Sequence, residues 1–144
     1  MSGLLLTPGG SYSNLDLQGR DLRNIDLSRA DLNGADLSNA NLKGTDLSHS
    51  DLTRATLRCA NLEGAQRDGT KLEGAILEDA HLFTASLIRA NLSNARLVGV
   101  NLNHADLRDA LVRSTDLTSA QLSQARLSSA NLSNAILAQC NQRQ

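Results

Sequence analysis

The sequence predicts an all-β protein that winds as a solenoid, and three observations lead to this fold class. Leucine occupies 23 of the 25 positions found at every fifth residue from Leu17 to Leu137, the exceptions being Arg67 and Val112. Alanine occupies 17 of the 25 positions that lie two residues earlier, from 15 to 135. No residue is inserted or deleted between Leu17 and Leu137, so the chain is one uninterrupted array of five-residue repeats.

A period of five excludes both regular secondary structures. Five residues of an α-helix rotate the side chain by about 500°, or about 140° net, so the leucines would point to all sides. In a straight strand, residues five apart point to opposite faces. The pattern buries every leucine only if the backbone turns a corner once per repeat. The chain must then coil around its own leucines as a β-solenoid.

The stretch Ala30 to Ala65 shows the repeat most clearly, as a small residue, Asp or Asn, Leu and two variable polar residues. This motif resembles the signature A(D/N)LXX of the pentapeptide-repeat proteins. The resemblance covers residues 15–140 and implies a right-handed quadrilateral β-helix with four repeats per coil. On that geometry the chain makes about six coils, stacked at the strand spacing of ~4.8 Å.

Asp or Asn precedes the leucine in 14 of the repeats. Short Asp and Asn side chains bond neighbouring backbone groups at turns. We therefore interpret this column as turn chemistry.

The region before the array, residues 1–14, contains the turn signal Pro8-Gly9-Gly10. Two alternatives stay open for it. It forms a cap in which Leu4 to Leu6 and Tyr12 cover the end of the coil, or it is a frayed tail.

At the other end, residues 141–144 form a predicted C-terminal tail after the β-helix of residues 15–140. No amphipathic helix follows Leu137 to cap the last coil. Since an exposed coil end is an open β edge, we expect a homodimer that joins through the C-terminal coils.

Composition narrows the classes of partner. Lys and Arg number 14 and Asp and Glu number 15, a net charge of −1, which gives no general attraction to nucleic acid or anionic membranes. No apolar run approaches the ~20 residues of a membrane-spanning helix, and no secretory signal is recognisable. Cys59 and Cys140 lie too far apart on the column geometry for an intrachain disulfide. We expect a cytoplasmic protein.

Arg67 is the one charged residue in the leucine array and takes the inward position between Leu47 and Leu87. An unpaired buried charge is very costly. We therefore expect a local bulge or bent face that lets the guanidinium reach solvent near Asp68, eased by Gly69. The alternative is a kink that shapes a binding surface.

No pattern of residues predicts catalysis, a cofactor or a metal. His49, His81 and His104 all take outward positions, and no Cys or carboxylate completes a zinc spacing around them. No serine belongs to a His and Asp constellation, and a filled prism leaves no interior pocket. We therefore expect that the protein is not an enzyme.

Apolar residues at outward positions are better candidates for a binding surface: Ile76, Phe83, Ile88, Val98, Leu111 and Ile136. On the column geometry only Ile76 and Val98 come close to one another. Phe83 is the lone outward aromatic residue, and aromatic side chains dominate protein interfaces. Phe83, Ile76 and Val98 are therefore the partner-binding candidates.

Two functions from different classes remain. The first is a non-enzymatic scaffold or protein-binding module with an unidentified protein partner. The second is a DNA mimic that binds DNA gyrase or topoisomerase, which the family resemblance implies for some branches. A row of carboxylates in the first coils favours the second function: Asp16, Asp21, Asp26, Asp31, Asp36, Asp46 and Asp51. Interleaved cations and the near-neutral net charge argue against it.

Overall fold

The computed structural model describes residues 5–141 as a continuous coil in which each turn of the chain rests on the one before. Parallel bridges join residues 20 positions apart, from Ser11 with Asp31 to Gln121 with Asn141. A bridge occurs at every fifth residue without a gap, so four repeats complete one coil. The predicted four-sided β-helix of about six coils is confirmed.

The strands of this β-helix are as short as strands can be. Within the described residues there is no helix, and each strand is a single bridged residue, at position 11 and every fifth position up to 141. We number the sides by their inward residues. Face 1 carries Leu17, face 2 Leu22, face 3 Leu27 and face 4 Leu32, and each face repeats at steps of 20.

The corners between faces are β-turns with a left-handed residue. After Leu27, the N–H of Ala30 donates to the Leu27 carbonyl at 3.1 Å, and Arg29 has a φ of 58°. Positive φ recurs at every fifth residue from Gly9 to Gln139, as a type II turn requires at its second central position. Glycine, which adopts this conformation without strain, holds eight of these corners, and other residues hold 19.

Nearly every backbone donor of a repeat is satisfied. In Ala35–Asn39, the N–H groups of Ala35, Asp36, Leu37 and Asn39 donate to backbone carbonyls at 2.7–3.0 Å. The remaining N–H, that of Ser38, donates to Oδ1 of Asp36 at 2.9 Å. The equivalent bond forms in all 14 repeats that have Asp or Asn before the leucine. The interpretation of this column as turn chemistry is confirmed.

The interior is a packed stack of leucine and alanine. The inward leucines from Leu17 to Leu122 are at most 5% exposed, whereas Leu137 on the last coil is 41% exposed. Threonine replaces alanine at some inward positions without leaving its hydroxyl unpaired. The hydroxyls of Thr45, Thr70 and Thr115 donate to the carbonyls of Leu22, Leu47 and Leu92 in the preceding coil, at 2.7, 2.7 and 2.8 Å.

The corner geometry begins before the leucine pattern does. Thr7–Gly10 and Tyr12–Leu15 already close turns through backbone hydrogen bonds of 3.1 and 3.2 Å. Leu6 and Tyr12 pack partly buried against the core, and the Tyr12 hydroxyl accepts the Thr7 N–H at 2.7 Å. Leu5 is 81% exposed, and Leu4 lies outside the described residues. Whether residues 1–14 form a cap or a tail stays a prediction.

Candidate functional site

Arg67 keeps the inward position of a leucine and does not reach solvent. Its side chain is 0% exposed, and no acceptor bonds the Nε, Nη1 or Nη2 atoms. Its backbone follows the regular pattern, with the N–H donating to Ser86 O at 3.0 Å and the carbonyl accepting from Thr70 N at 3.1 Å. The predicted bulge is therefore wrong, because the backbone ladder of face 3 stays continuous and holds the side chain inside. Asp68 is bonded by the Ser86 hydroxyl instead.

Phe83 lies on face 2 as an exposed aromatic side chain. It is 39% exposed, and its ring meets that of His104 edge to face, with centroids 5.3 Å apart and an interplanar angle of 74°. This is a favoured aromatic arrangement. His104 belongs to the next coil, so the contact joins two coils of face 2.

Ile76 and Val98 lie on neighbouring coils of face 1, and both are half-buried. The ion pair between Arg96 and Glu78, at 2.6 Å, joins the same two coils on this face. The structure thus brings Ile76 and Val98 to one face, while Phe83 belongs to the adjoining one. The three candidates do not form a single apolar patch.

Within residues 5–141, five ion pairs join charged side chains of neighbouring coils. Glu78 has a side chain only 14% exposed and contacts both Arg58 and Arg96. Asp106 is bonded by Arg108 and Arg126 at 2.8 and 3.1 Å. Arg108 lies two residues from Asp106 in the same repeat, whereas the other three partners lie 18 to 20 positions away in a neighbouring coil, where no local pattern of the sequence marks them.

The aspartate side chains of the acidic row in the first coils accept hydrogen bonds from nearby backbone N–H groups. All seven aspartates, from Asp16 to Asp51, accept a hydrogen bond from the N–H two residues later. Asp21 is also paired with Arg23 at 2.6 Å, and Lys71 lies 3.4 Å from Asp51. The hydrogen bonds from the side chain and N–H of Arg23 lower the pKa of Asp21 to about 2.

Corner side chains are a feature that the leucine pattern did not reveal. Polar residues at left-handed corners lean over the following coil, so that a Cβ added at Gly34 would meet Oδ1 of Asn14, and one at Gly99 would collide with Oδ1 of Asp79. The recurrence of glycine at the fifth residue of some repeats was the available signal. It was weak because most corners are not glycine.

A surface groove of about 600 Å³ along faces 3 and 4 contains Ser13, Asp31 and His49. The Ser13 hydroxyl donates to Oδ2 of Asp31 at 2.7 Å, and among the described residues no hydrogen bond joins it to His49. The groove therefore lacks the nucleophile and base contact that acyl transfer needs.

Cysteines and metal-ligating groups are dispersed. Cys59 is exposed, and Cys140 is half-buried with its thiol donating to the Leu117 carbonyl at 2.8 Å; both are free. Burial raises the pKa of the Cys140 thiol. Between residues 5 and 141, no three His, Cys, Asp or Glu side chains come together to hold a metal. The same range of residues contains no helical segment with the length and hydrophobicity of a transmembrane span.

Fold and surface together define a repeat protein built as a β-solenoid. The family model for pentapeptide repeats matches eight copies, over residues 13–48, 35–79, 68–103, 85–118 and 105–141. The chain belongs to the pentapeptide repeat family. Proteins of this family are generally structural repeat proteins without enzymatic activity.

Two solved structures show the same architecture. One is a pentapeptide repeat protein from the Arabidopsis thaliana thylakoid lumen, 27% identical with a TM-score of 0.61 over 76% of this chain and 70% of that one. The other is a trypsin-treated variant of QnrB1, a plasmid-mediated fluoroquinolone resistance protein, 15% identical with a TM-score of 0.52 over 94% of this chain and 70% of that one. The right-handed quadrilateral form of the β-helix is confirmed. Because the QnrB1 variant is only 15% identical to this chain, its similarity shows the fold alone. No curated protein matches the sequence.

Proposed function

We propose that this protein is a non-enzymatic scaffold or binding module that works in the cytoplasm and recognises another protein. The observation that carries the proposal is the exposed Phe83 ring, held edge to face against His104. Aromatic side chains are enriched among the residues that dominate binding energy. Solenoids bind partners along such ordered faces.

The backbone presents Phe83 at a fixed position. Its carbonyl accepts the N–H of Gly64 in the preceding coil at 3.1 Å, and the corner residue Thr84 donates its hydroxyl to the same carbonyl at 2.7 Å. A partner that covers the ring orders little backbone, which reduces the entropic cost of binding. Ile76 and Val98 add apolar surface area for the partner on the adjoining face 1.

Co-purification from a native lysate with a tagged chain tests this proposal. Phe83→Ala should lose a specific partner, whereas Leu111→Ala should retain it. Leu111 is the matched control because it is 36% exposed and lies on face 4. Equal recovery of all partners by both variants would contradict a site at Phe83.

A second copy of the chain is the other proposed partner, through the C-terminal coils. Ile136, at an outward position, and Leu137, at an inward position of the last coil, are 53% and 41% exposed there, so both offer apolar area to a second copy. Light scattering should give a dimeric mass that Ile136→Lys converts to a monomer. A monomeric mass of the wild-type protein at micromolar concentration would contradict the proposed homodimer.

The DNA-mimic function has less support. Its carboxylate row accepts backbone hydrogen bonds and lies among cations, and the chain carries a net charge of only −1. Duplex DNA carries a charge every ~1.7 Å of its axis. A gyrase supercoiling assay with added protein tests it, and inhibition or protection in that assay would favour it over the scaffold.

A further inference from the structure

The column of inward residues on face 3 contains one position that differs in kind from the others. Arg67 lies between Leu47 and Leu87, is completely buried, and has three guanidinium nitrogens without an acceptor. Every other inward position of this column from Leu27 to Leu107 is a buried leucine. The closed coil is therefore least favourable at this position, because a buried cation without partners loses its hydration and gains no replacement.

We propose that the segment Gln66–Gly69 is a built-in opening point of the solenoid. It swings reversibly away from face 3 while the other coils stay folded. The motion brings Arg67 into solvent and exposes the interior between Leu47 and Leu87. The closed state is the one described above, and the open state is a minor conformation in equilibrium with it.

The hydrogen bonds lost on opening are the same in number as for other segments of the stack. Arg67 N and Gly69 N donate to Ser86 O and Ile88 O at 3.0 and 2.9 Å, and Gln66 N donates to Thr45 O at 3.1 Å. In the segment 20 residues later, Leu87 N, Arg89 N and Ser86 N make the corresponding bonds to Asp106 O, Arg108 O and Ala65 O, at 2.7, 3.0 and 3.1 Å. Backbone bonding therefore does not distinguish the two segments.

The inward side chain decides the difference. Opening the segment around Leu87 transfers a buried leucine into water, which is unfavourable. Opening Gln66–Gly69 transfers a guanidinium into water, which is favourable. Burial lowers the pKa of Arg67 to about 9, so the group is still charged at neutral pH and the driving force persists there.

Contacts outside the backbone hold this segment weakly. The Ser86 hydroxyl donates to Oδ1 of Asp68 at 2.5 Å on the exposed surface. Gly69 forms the corner with a φ of 67°, and glycine can change this angle without strain because it lacks a Cβ. The segment can therefore swing about a glycine corner while the inward residue Thr70 keeps its hydroxyl bond to Leu47 O at 2.7 Å.

Amide hydrogen exchange of the full chain, measured residue by residue by NMR at neutral pH, tests the proposal. After correction for intrinsic rates, Arg67 and Gly69 should exchange roughly tenfold or more faster than Leu87 and Arg89. Leu47 and His49 should also exchange faster, because their acceptors are Gln66 O and Asp68 O.

Two variants distinguish the effect of the Arg67 charge from the effect of its side-chain shape. Arg67→Leu restores the column, and Arg67→Met keeps a long unbranched side chain without the charge. Both should bring the exchange of Gly69 to within about twofold of that of Arg89. Equal protection of the two segments in the wild-type protein would overturn the proposal, as would a difference that persists in both variants.

Discussion

The N–H of Ser38 donates to Oδ1 of Asp36 at 2.9 Å, and this bond satisfies the one backbone donor of its repeat that has no carbonyl partner. Ser38 is only 6% exposed, so water has little access to that N–H group. The acidic column therefore belongs to the architecture, in the way that an N-cap residue belongs to a helix.

Asp36→Ala should lower the free energy of unfolding by about 1 kcal/mol, because the Ser38 N–H loses its acceptor in a buried position. Asp36→Asn keeps an oxygen at the same place and should lower it by less than half as much. Chemical denaturation followed by circular dichroism measures both. Equal losses for the two variants would show that the charge, and not the hydrogen bond, matters.

Acid should destabilise the protein below about pH 4. The side chain and N–H of Ser38 lower the pKa of Asp36, those of Thr118 lower that of Asp116, and Arg23 lowers that of Asp21 to about 2. A carboxyl group whose pKa is depressed by folding stabilises above its unfolded pKa of about 3.9. That contribution is lost as pH falls through the folded value. Tm should therefore be steady between pH 5 and 6 and fall between about pH 4 and 2, and a Tm at pH 2.5 equal to that at pH 6 would contradict this.

Thr84→Gly should raise the free energy of unfolding by about 0.5–1 kcal/mol. Thr84 is β-branched and has a φ of 56° at its corner, a conformation that glycine adopts without strain. Thr53→Gly is the control, since Thr53 precedes the left-handed residue Arg54 in its turn. Thr53→Gly should lower the free energy of unfolding, because glycine at this position only increases the conformational entropy of the unfolded chain. Thermal denaturation distinguishes the two, and a loss of stability in both variants would refute the assignment of strain to Thr84.

Glu78→Gln should cost about 1 kcal/mol, since its carboxylate joins Arg58 and Arg96 and its side chain is 14% exposed. Glu63→Gln should cost less than about 0.5 kcal/mol, because the pair of Lys43 and Glu63 is 54% and 39% exposed. Denaturation at low and high salt compares them. Equal stability of the two variants at low salt would contradict a stabilising role of the Glu78 carboxylate.

Much of the fold could be read from the chain because its rules act within five residues. Leucine at every fifth position requires a corner in every repeat. The side chain of Asp36 accepts a hydrogen bond from the N–H of Ser38, which is only two residues away. Both relations are local, and both recur at the predicted period. The left-handed corners were missed because residues such as Arg29 and Thr84 hold most of them, so composition did not mark the conformation.

The surface was harder to foresee because its contacts join different coils. The contact of Phe83 with His104 and the pairing of Glu78 with Arg96 depend on side-chain directions at residues 18 or more positions apart. For Arg67 the expected bulge rested on desolvation alone. It neglected the continuous backbone ladder that keeps the segment in register with Ser86.

The most direct test of an interior built for leucine is the urea-induced unfolding of Arg67→Leu. The free energy of unfolding should rise by about 2–4 kcal/mol, since a buried cation without partners is replaced by the side chain of its column. Arg113→Leu, at an exposed outward position without an ion pair among the described residues, should change it by less than about 0.5 kcal/mol. A loss of stability in Arg67→Leu would show that Arg67 stabilises the coil, and would contradict the interior described for face 3.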